Sequence, residues 1–365
     1  MQHRFIQKSW NAACAKVSQL LWFPSGADRT ACSVIKTEQI FIKDDAFAPS
    51  FFVPFFRKEV KLVNDLAYRT ALQEKIQKKF YGHDTLKSKY VPPYAISAER
   101  QYSQAVGNLY RRYNKVVLRW MPKIIKAIKQ DRDKRMRTDD VVGLMQLIDL
   151  YLTKMMNDLK TEEEQEENGS NLEEQIKAAT YLIRGVVNQG WSKAVERTLG
   201  VQVIPEYYDE SFYRELLERW FRENMGMISS IPQDLVQQIR DTLWEDITQN
   251  AATDQMVKHI QHTCQVSENR AKFIARDQVG KLQAQLTRQQ QTDAGVREYI
   301  WSSKRDSKVR HQHRKLNGNK FSWDSPPLSD PRTGRHCHPG EDYGCRCTAI
   351  PVFPRNVVVP YEKKE

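Results

Sequence analysis

Cys345 and Cys347 stand two residues apart, so on an extended strand both thiols face the same side. His338 lies seven residues before Cys345, across a Pro339-Gly340 turn that can fold it back toward the thiols. His313 adds a second imidazole from outside that local loop. Two thiolates and two imidazoles satisfy tetrahedral zinc, so the expected metal set is His313, His338, Cys345 and Cys347. Cys337, His336 and His311 are spare donors that can replace any member. Two alternatives stand beside the metal. The thiols are reduced and packed while the histidines make hydrogen bonds, or the thiols close a disulfide. Of the six cysteines, Cys14, Cys32 and Cys264 are scattered singly while the other three crowd into eleven residues, unlike the even pairing of a secreted disulfide protein.

The same block offers Asp306, His313, Asp324 and His338 to a metal-dependent DNA nuclease. No nucleophile motif, phosphate loop or paired-carboxylate motif accompanies them. Asp306 and Arg310 read as an ion pair that fixes a turn. The expectation is therefore a protein that is not an enzyme, with no catalytic residues.

The elements that must position this block are mostly helical. The expected fold is mainly α with a small α+β C-terminal domain: long helices, then short strands and irregular loops. Residues 1–50 read as an irregular N-terminal arm or subdomain, 51–168 as a helical region, 169–295 as a helical middle, and 296–365 as a small His/Cys-rich domain with a charged tail. A helical pattern over about 56–81 ends near Gly82, and Ser97 opens a long helix toward Arg137. Val117, Met121, Ile124 and Ile128 recur in it at steps of three and four, and Pro122 should kink or divide it. A helix over 138–160 carries Val142, Met145, Ile148, Leu152 and Met155 on one face.

The acidic run 161–169 reads as a solvated linker loop or an exposed helix end, with linker the favoured reading, after which the capping-box pair Ser170 and Glu173 starts a helix that Gly200 stops. Asp209 is expected to open the next helix, and Pro232 suits the first turn of another. Thr253 opens a short helix to about Cys264, and Ser267 opens a long one to about Thr292, with Gly295 as the end. Trp191, Trp220 and Trp244 are expected in the core. Val296–Ser302 and Cys345–Val352 read as strands, Phe321 and Trp323 as a short strand, and Leu316-Asn-Gly-Asn319 as a hairpin turn.

The chain of 365 residues carries a net charge of +12, which draws it to polyanions. Arg112, Lys115, Arg119, Lys123, Lys126 and Lys129 recur at helical spacing away from the apolar face, a stripe that can track DNA phosphates without reading sequence. An ordinary solvated face is the alternative. The N-terminus lacks a signal-peptide core, and no run of eighteen apolar residues occurs, so no membrane partner is expected.

One further pattern is order. Trp301 precedes a loop with Asp306 and the pair Val309-Arg310, then His313, then Leu316 and Gly318. Pro326-Pro327, His338-Pro339 and Cys345-Arg346-Cys347 follow, and Asn269–Gln278 lies upstream as an Arg-Ala, apolar, Ala-Arg segment. This order resembles the C-terminal domain of the phage head morphogenesis family of the Mu protein F type, over roughly residues 205–352. The resemblance implies a minor capsid component near the portal vertex of a tailed bacteriophage, acting in head assembly and DNA packaging or ejection. It implies the portal protein, the major capsid or scaffolding protein and packaged double-stranded DNA as partners, the last bound non-specifically. It places the protein in the virion after synthesis in the host cytoplasm. The rival readings are the metal-dependent nuclease and a free non-specific DNA-binding protein.

Overall fold

A computed structural model describes residues 66–135, 141–164, 172–304 and 306–360. The proposed N-terminal arm, the capping residue Ser170 and the tail from 361 lie outside them. Helix α1 spans Leu66–Lys79, strand β1 Thr85–Lys87, α2 Ile96–Arg135, α3 Val141–Glu164 and α4 Leu172–Leu199. A 3-10 turn at Pro205–Tyr208 leads to α5, Arg214–Ser229, and α6, Ile231–Thr248. Then come α7, Thr253–Asp293; β2, Glu298–Ser302; α8, His311–Leu316; β3, Lys320–Ser322; β4, Leu328–Asp330; β5, Arg335–His336; and β6, Thr348–Pro354. The fold is mainly α with a small α+β C-terminal part.

Apolar periodicity explains most of the helices. Val117, Met121, Ile124 and Ile128 of α2 and Met145, Ile148, Leu152 and Met155 of α3 are all buried in one core. Val142, at the start of α3, is instead exposed. Trp191 and Trp220 are core residues as expected, whereas Trp244 on α6 is 47% exposed. Its neighbours Leu243 and Ile247 already fill the inner face of α6, which leaves Trp244 on the outer one.

Four helix boundaries differ from expectation, the first being that α3 continues past residue 160 into the acidic run, as far as Glu164. Pro122 does not divide α2, which runs 40 residues through it. The residue is exposed, and the carbonyl that loses its donor belongs to Leu118, itself an exposed position where water can serve. Nor is there a break near Ser267, because α7 is one helix of 41 residues. Ser267 does not cap; its hydroxyl donates to Gln238 Oε1 on α6 at 2.7 Å, so the residue ties two helices together. Asp209 forms a turn ahead of α5 rather than its start, accepting from the backbone of Ser211 and Phe212.

α7 packs against α2, α4, α5, α6 and β6. Its buried glutamines act as adapters between helix and loops. Gln283 donates to Pro93 O at 2.7 Å and accepts from Ala95 N at 2.9 Å. Gln291 donates to Ala349 O and accepts from the Trp323 indole N–H at 3.1 Å. The amides of Gln283 and Gln291 are thus matched to backbone or indole partners, which removes the cost of burying them.

Among the described residues the larger sheet has four strands in the order β1-β6-β2-β3, every neighbour antiparallel. Trp301 pairs with Ala349 and Ile300 with Ile350, so successive residues alternate faces. Tyr299, Trp301 and Ala349 join Trp323, Leu316 and both cysteines in one cluster, while Ile300, Ile350 and Val352 form another. The outer strand β1 comes from residues 85–87, between α1 and α2.

The Leu316–Asn319 segment is a turn but not a hairpin between two strands. It joins α8 to β3, and its Gly318 N donates to Trp301 O at 2.8 Å. His313 and Leu316, one helical turn apart, are both buried, and that spacing selects α8 over a strand.

Candidate metal centre

The centre is built on three elements. Strand β2 supplies Trp301, whose ring meets the His313 ring edge-on at 5.2 Å. Helix α8 brings in His313, and the turns leading to β6 deliver Cys345 and Cys347. The ligating atoms of His313, Cys345 and Cys347 all lie within 4.8 Å of one another, and all three residues are buried. His313 Nδ1 faces both sulfurs, at 3.5 Å from Cys345 Sγ and 3.7 Å from Cys347 Sγ. Its Nε2 faces Asp342 Oδ2 at 3.2 Å.

Asp342 is the residue that sequence reasoning missed. It is 2% exposed. Arg335 Nη1 donates to Oδ1 at 3.0 Å, the Tyr343 N–H donates to the same oxygen, and Arg310 Nη1 reaches Oδ2 at 3.5 Å. Burial pushes the Asp342 carboxyl up, but His313, Arg335 and Tyr343 outweigh it and hold it well below the usual carboxylate range. The only sequence signal was its place between His338 and Cys345.

Burial likewise pulls His313 down, and the hydrogen bonds to Asp342 and Cys345 reverse this, pushing it up to about 9. The hydrogen bond shared with Cys347, aided by His313, holds the Cys345 thiol well below its usual range against burial. The same shared bond, together with burial, pushes Cys347 up.

This donor set fits a soft or borderline divalent cation. Two sulfurs and an imidazole nitrogen converge, and the far nitrogen of the imidazole is fixed by a carboxylate, the device that orients metal-binding histidines. Binding requires both sulfurs as thiolates and His313 Nδ1 without its proton.

His338 is not brought to this group. Its Nδ1 lies 2.8 Å from the Tyr299 hydroxyl, and its ring packs 4.9 Å from Trp323. Burial lowers its pKa. The backbone N–H of His338 donates to Glu341 Oε2, which closes the turn. Of the spare donors, His311 and His336 are exposed, and Cys337 is half-buried outside the cluster.

The acidic residues named for a nuclease do not converge on the cluster. Asp324 is exposed, and Asp306 accepts from Arg346 at 2.6 Å. The expected Asp306–Arg310 pair is thus exchanged, Asp306 taking Arg346 and Arg310 taking Asp342. Arg310 joins Arg335 at the buried carboxylate, while Asp306, nearer the rim, is matched by Arg346.

The loop carrying the cysteines is seated on α7. A Cβ at Gly280 would lie 2.7 Å from Cys345 O and 3.2 Å from Gly340 O, so helix and loop backbones touch. Gly340 has φ +95°, a conformation that favours glycine. Asp277 of α7 accepts from Gly344 N at 2.8 Å.

The basic stripe lies elsewhere, on α2. Lys115, Arg119, Lys123, Lys126 and Lys129 are exposed and Arg112 is partly so. Lys123 Nζ sits 4.0 Å from the centre of the Trp120 ring.

A helical body with a small antiparallel sheet and a buried His/Cys/Cys centre is the class of protein that fold and site define. Residues 237–350 match the family described as phage Mu protein F like protein. The matched region begins in α6, contains the whole of α7 and ends in β6. The chain is also 32% identical over 133 residues to an uncharacterized protein of Haemophilus influenzae. That match covers 36% of this chain and 28% of the relative, so the chain spans less than a third of the relative's length. No solved structure matches the chain. Among the described residues no helix is long and apolar enough to cross a membrane.

Proposed function

We propose that this chain is a structural minor head protein of a tailed bacteriophage, without enzymatic activity, that sits at the portal vertex and acts in head assembly and DNA packaging or ejection. The observation that carries the proposal is the family match over residues 237–350, which includes every residue of the His/Cys/Cys centre. In this reading the centre is structural. Zinc held by His313, Cys345 and Cys347 cross-links α8 to the start of β6 and supplies stability that a domain with few large aliphatic residues lacks. Asp342 orients His313 but holds no metal itself. The partners are the portal protein, the major capsid or scaffolding protein, and packaged double-stranded DNA met by the α2 stripe. The protein is made in the host cytoplasm and ends in the virion.

The test is co-assembly. The tagged full chain, expressed during phage growth, is expected to sediment with heads that contain portal and coat proteins, and to stay with them in high salt. A chain that remains in the soluble fraction while heads of normal composition form would sink the proposal. The nuclease rival instead predicts metal-dependent cleavage of duplex DNA by the purified chain.

A further inference from the structure

A tetrahedral ion needs four donors, and the cluster supplies three. Among the described residues no fourth His, Cys, Asp or Glu joins the group. Asp342 is committed to the far nitrogen of His313, and His338 to Tyr299. The missing donor must come from outside the described part of the chain or from a ligand. Where it would arrive is visible. His313, Cys345 and Cys347 line one cavity of about 180 Å³ together with Lys304, Lys308, Val309, Arg310 and Arg346. The three donor residues, though buried and packed against Trp301, therefore also border a pocket.

The charged residues that line that pocket are all basic. Arg346 is paired with Asp306, Arg310 with Asp342, and Arg276, also in the wall, with Glu99. Lys304 and Lys308 are exposed, and among the described residues neither has a carboxylate within ion-pair distance. A dication held by two thiolates and a neutral imidazole has no net charge of its own. The lysines thus leave the pocket positive when the metal is in place, and they favour an anion there. A phosphate is the anion whose shape suits both demands. One oxygen can reach the metal while others remain for two ammonium groups, whereas a carboxylate keeps only one oxygen for them.

We infer that the metal at His313, Cys345 and Cys347 has an open fourth position that takes a phosphate oxygen, received by Lys304 and Lys308. This rests on the metal reading of the centre. The phosphate belongs either to the free inorganic ion or to a nucleic acid.

The experiment uses the full chain loaded with cobalt(II), whose visible spectrum reports on its ligands. Metal content is measured first. Absence of stoichiometric cobalt or zinc would refute the metal reading, and this inference with it. With one metal per chain, titration with inorganic phosphate at constant ionic strength is expected to shift the visible bands saturably. A Lys304→Glu/Lys308→Glu variant is expected to keep one cobalt per chain and to bind phosphate at least tenfold more weakly. An oligonucleotide with a 5′-phosphate, beside the same strand without one, separates the sources. A shift with both assigns the backbone diester, with the first alone the terminal phosphate, and with neither the free ion. A metal-loaded chain whose spectrum ignores phosphate, or whose lysine variant responds like the unaltered chain, overturns the inference while leaving the metal site intact.

Discussion

Asp342 shows how much one buried side chain can set. Its two oxygens serve His313, Arg310, Arg335 and the Tyr343 N–H at once. In doing so they fix which imidazole nitrogen faces the sulfurs. Carboxylates in this position typically strengthen metal affinity by about 10–100-fold. Asp342→Asn is therefore expected to weaken zinc binding by about that factor, read by competition with a chromogenic chelator, while far-ultraviolet dichroism stays unchanged. In the same assay Cys345→Ser should lose stoichiometric zinc, and His338→Ala should retain it. Retention by Cys345→Ser, or loss by His338→Ala, would contradict the three-donor set. The sequence marked His313, Cys345 and Cys347 through residue type and spacing. It did not separate them from His338, because a Pro-Gly turn can send a side chain to either face of the loop. The choice was made by Tyr299 and Trp323, which hold the His338 ring at 2.8 Å and 4.9 Å.

Helix α7 is the element on which the site depends. Its middle is bare where Gly280 meets the carbonyls of Cys345 and Gly340. Alanine ordinarily improves a helix by up to about 1 kcal/mol over glycine. At 280 a methyl would instead press on a backbone carbonyl at 2.7 Å, which cannot rotate away. Gly280→Ala is expected to destabilise the protein by about 1–3 kcal/mol, seen as a lower urea midpoint. Gly185→Ala on α4, where a methyl meets nothing within 4 Å, is expected to shift the midpoint the other way. Equal behaviour of the two variants would argue against the helix–loop contact. Periodicity exposed the buried faces of α2 and α3, since a 3.6-residue repeat is a local property. The unbroken length of α7 was not legible. Ser267 looks like a cap in sequence, and only Gln238 on a neighbouring helix explains its other use.

The whole molecule joins remote parts of the chain. The four-stranded sheet takes its outer strand from residues 85–87, and the described residues fall within one compact unit, Val60–Glu365. Opposite demands follow for α2, whose inner face is core and whose outer face carries Lys115, Arg119, Lys123, Lys126 and Lys129. If that ridge meets packaged DNA, affinity for duplex DNA should fall steeply with salt, with a log–log slope of up to about −5 when these five cations and Arg112 all engage phosphates. Lys115→Glu, Lys123→Glu and Lys126→Glu together are expected to flatten the slope by roughly three units without changing the melting temperature. Fluorescence anisotropy of a labelled duplex across a salt series measures both. A slope that the triple substitution leaves untouched would remove α2 from the DNA-binding surface.

By itself the sequence determined the helical class, most buried faces and the motif order from Trp301 to Cys347. These depend on residue type and short spacing, which the chain carries in one dimension. The tertiary structure decided the membership of the His/Cys centre, the role of Asp342, the exchange of partners between Asp306 and Arg310, and the origin of β1. Each of these sets residues far apart in sequence in competition for one buried partner or one strand edge. Such a competition is settled only when the packed chain fixes which groups can reach each other and which charges it leaves away from water.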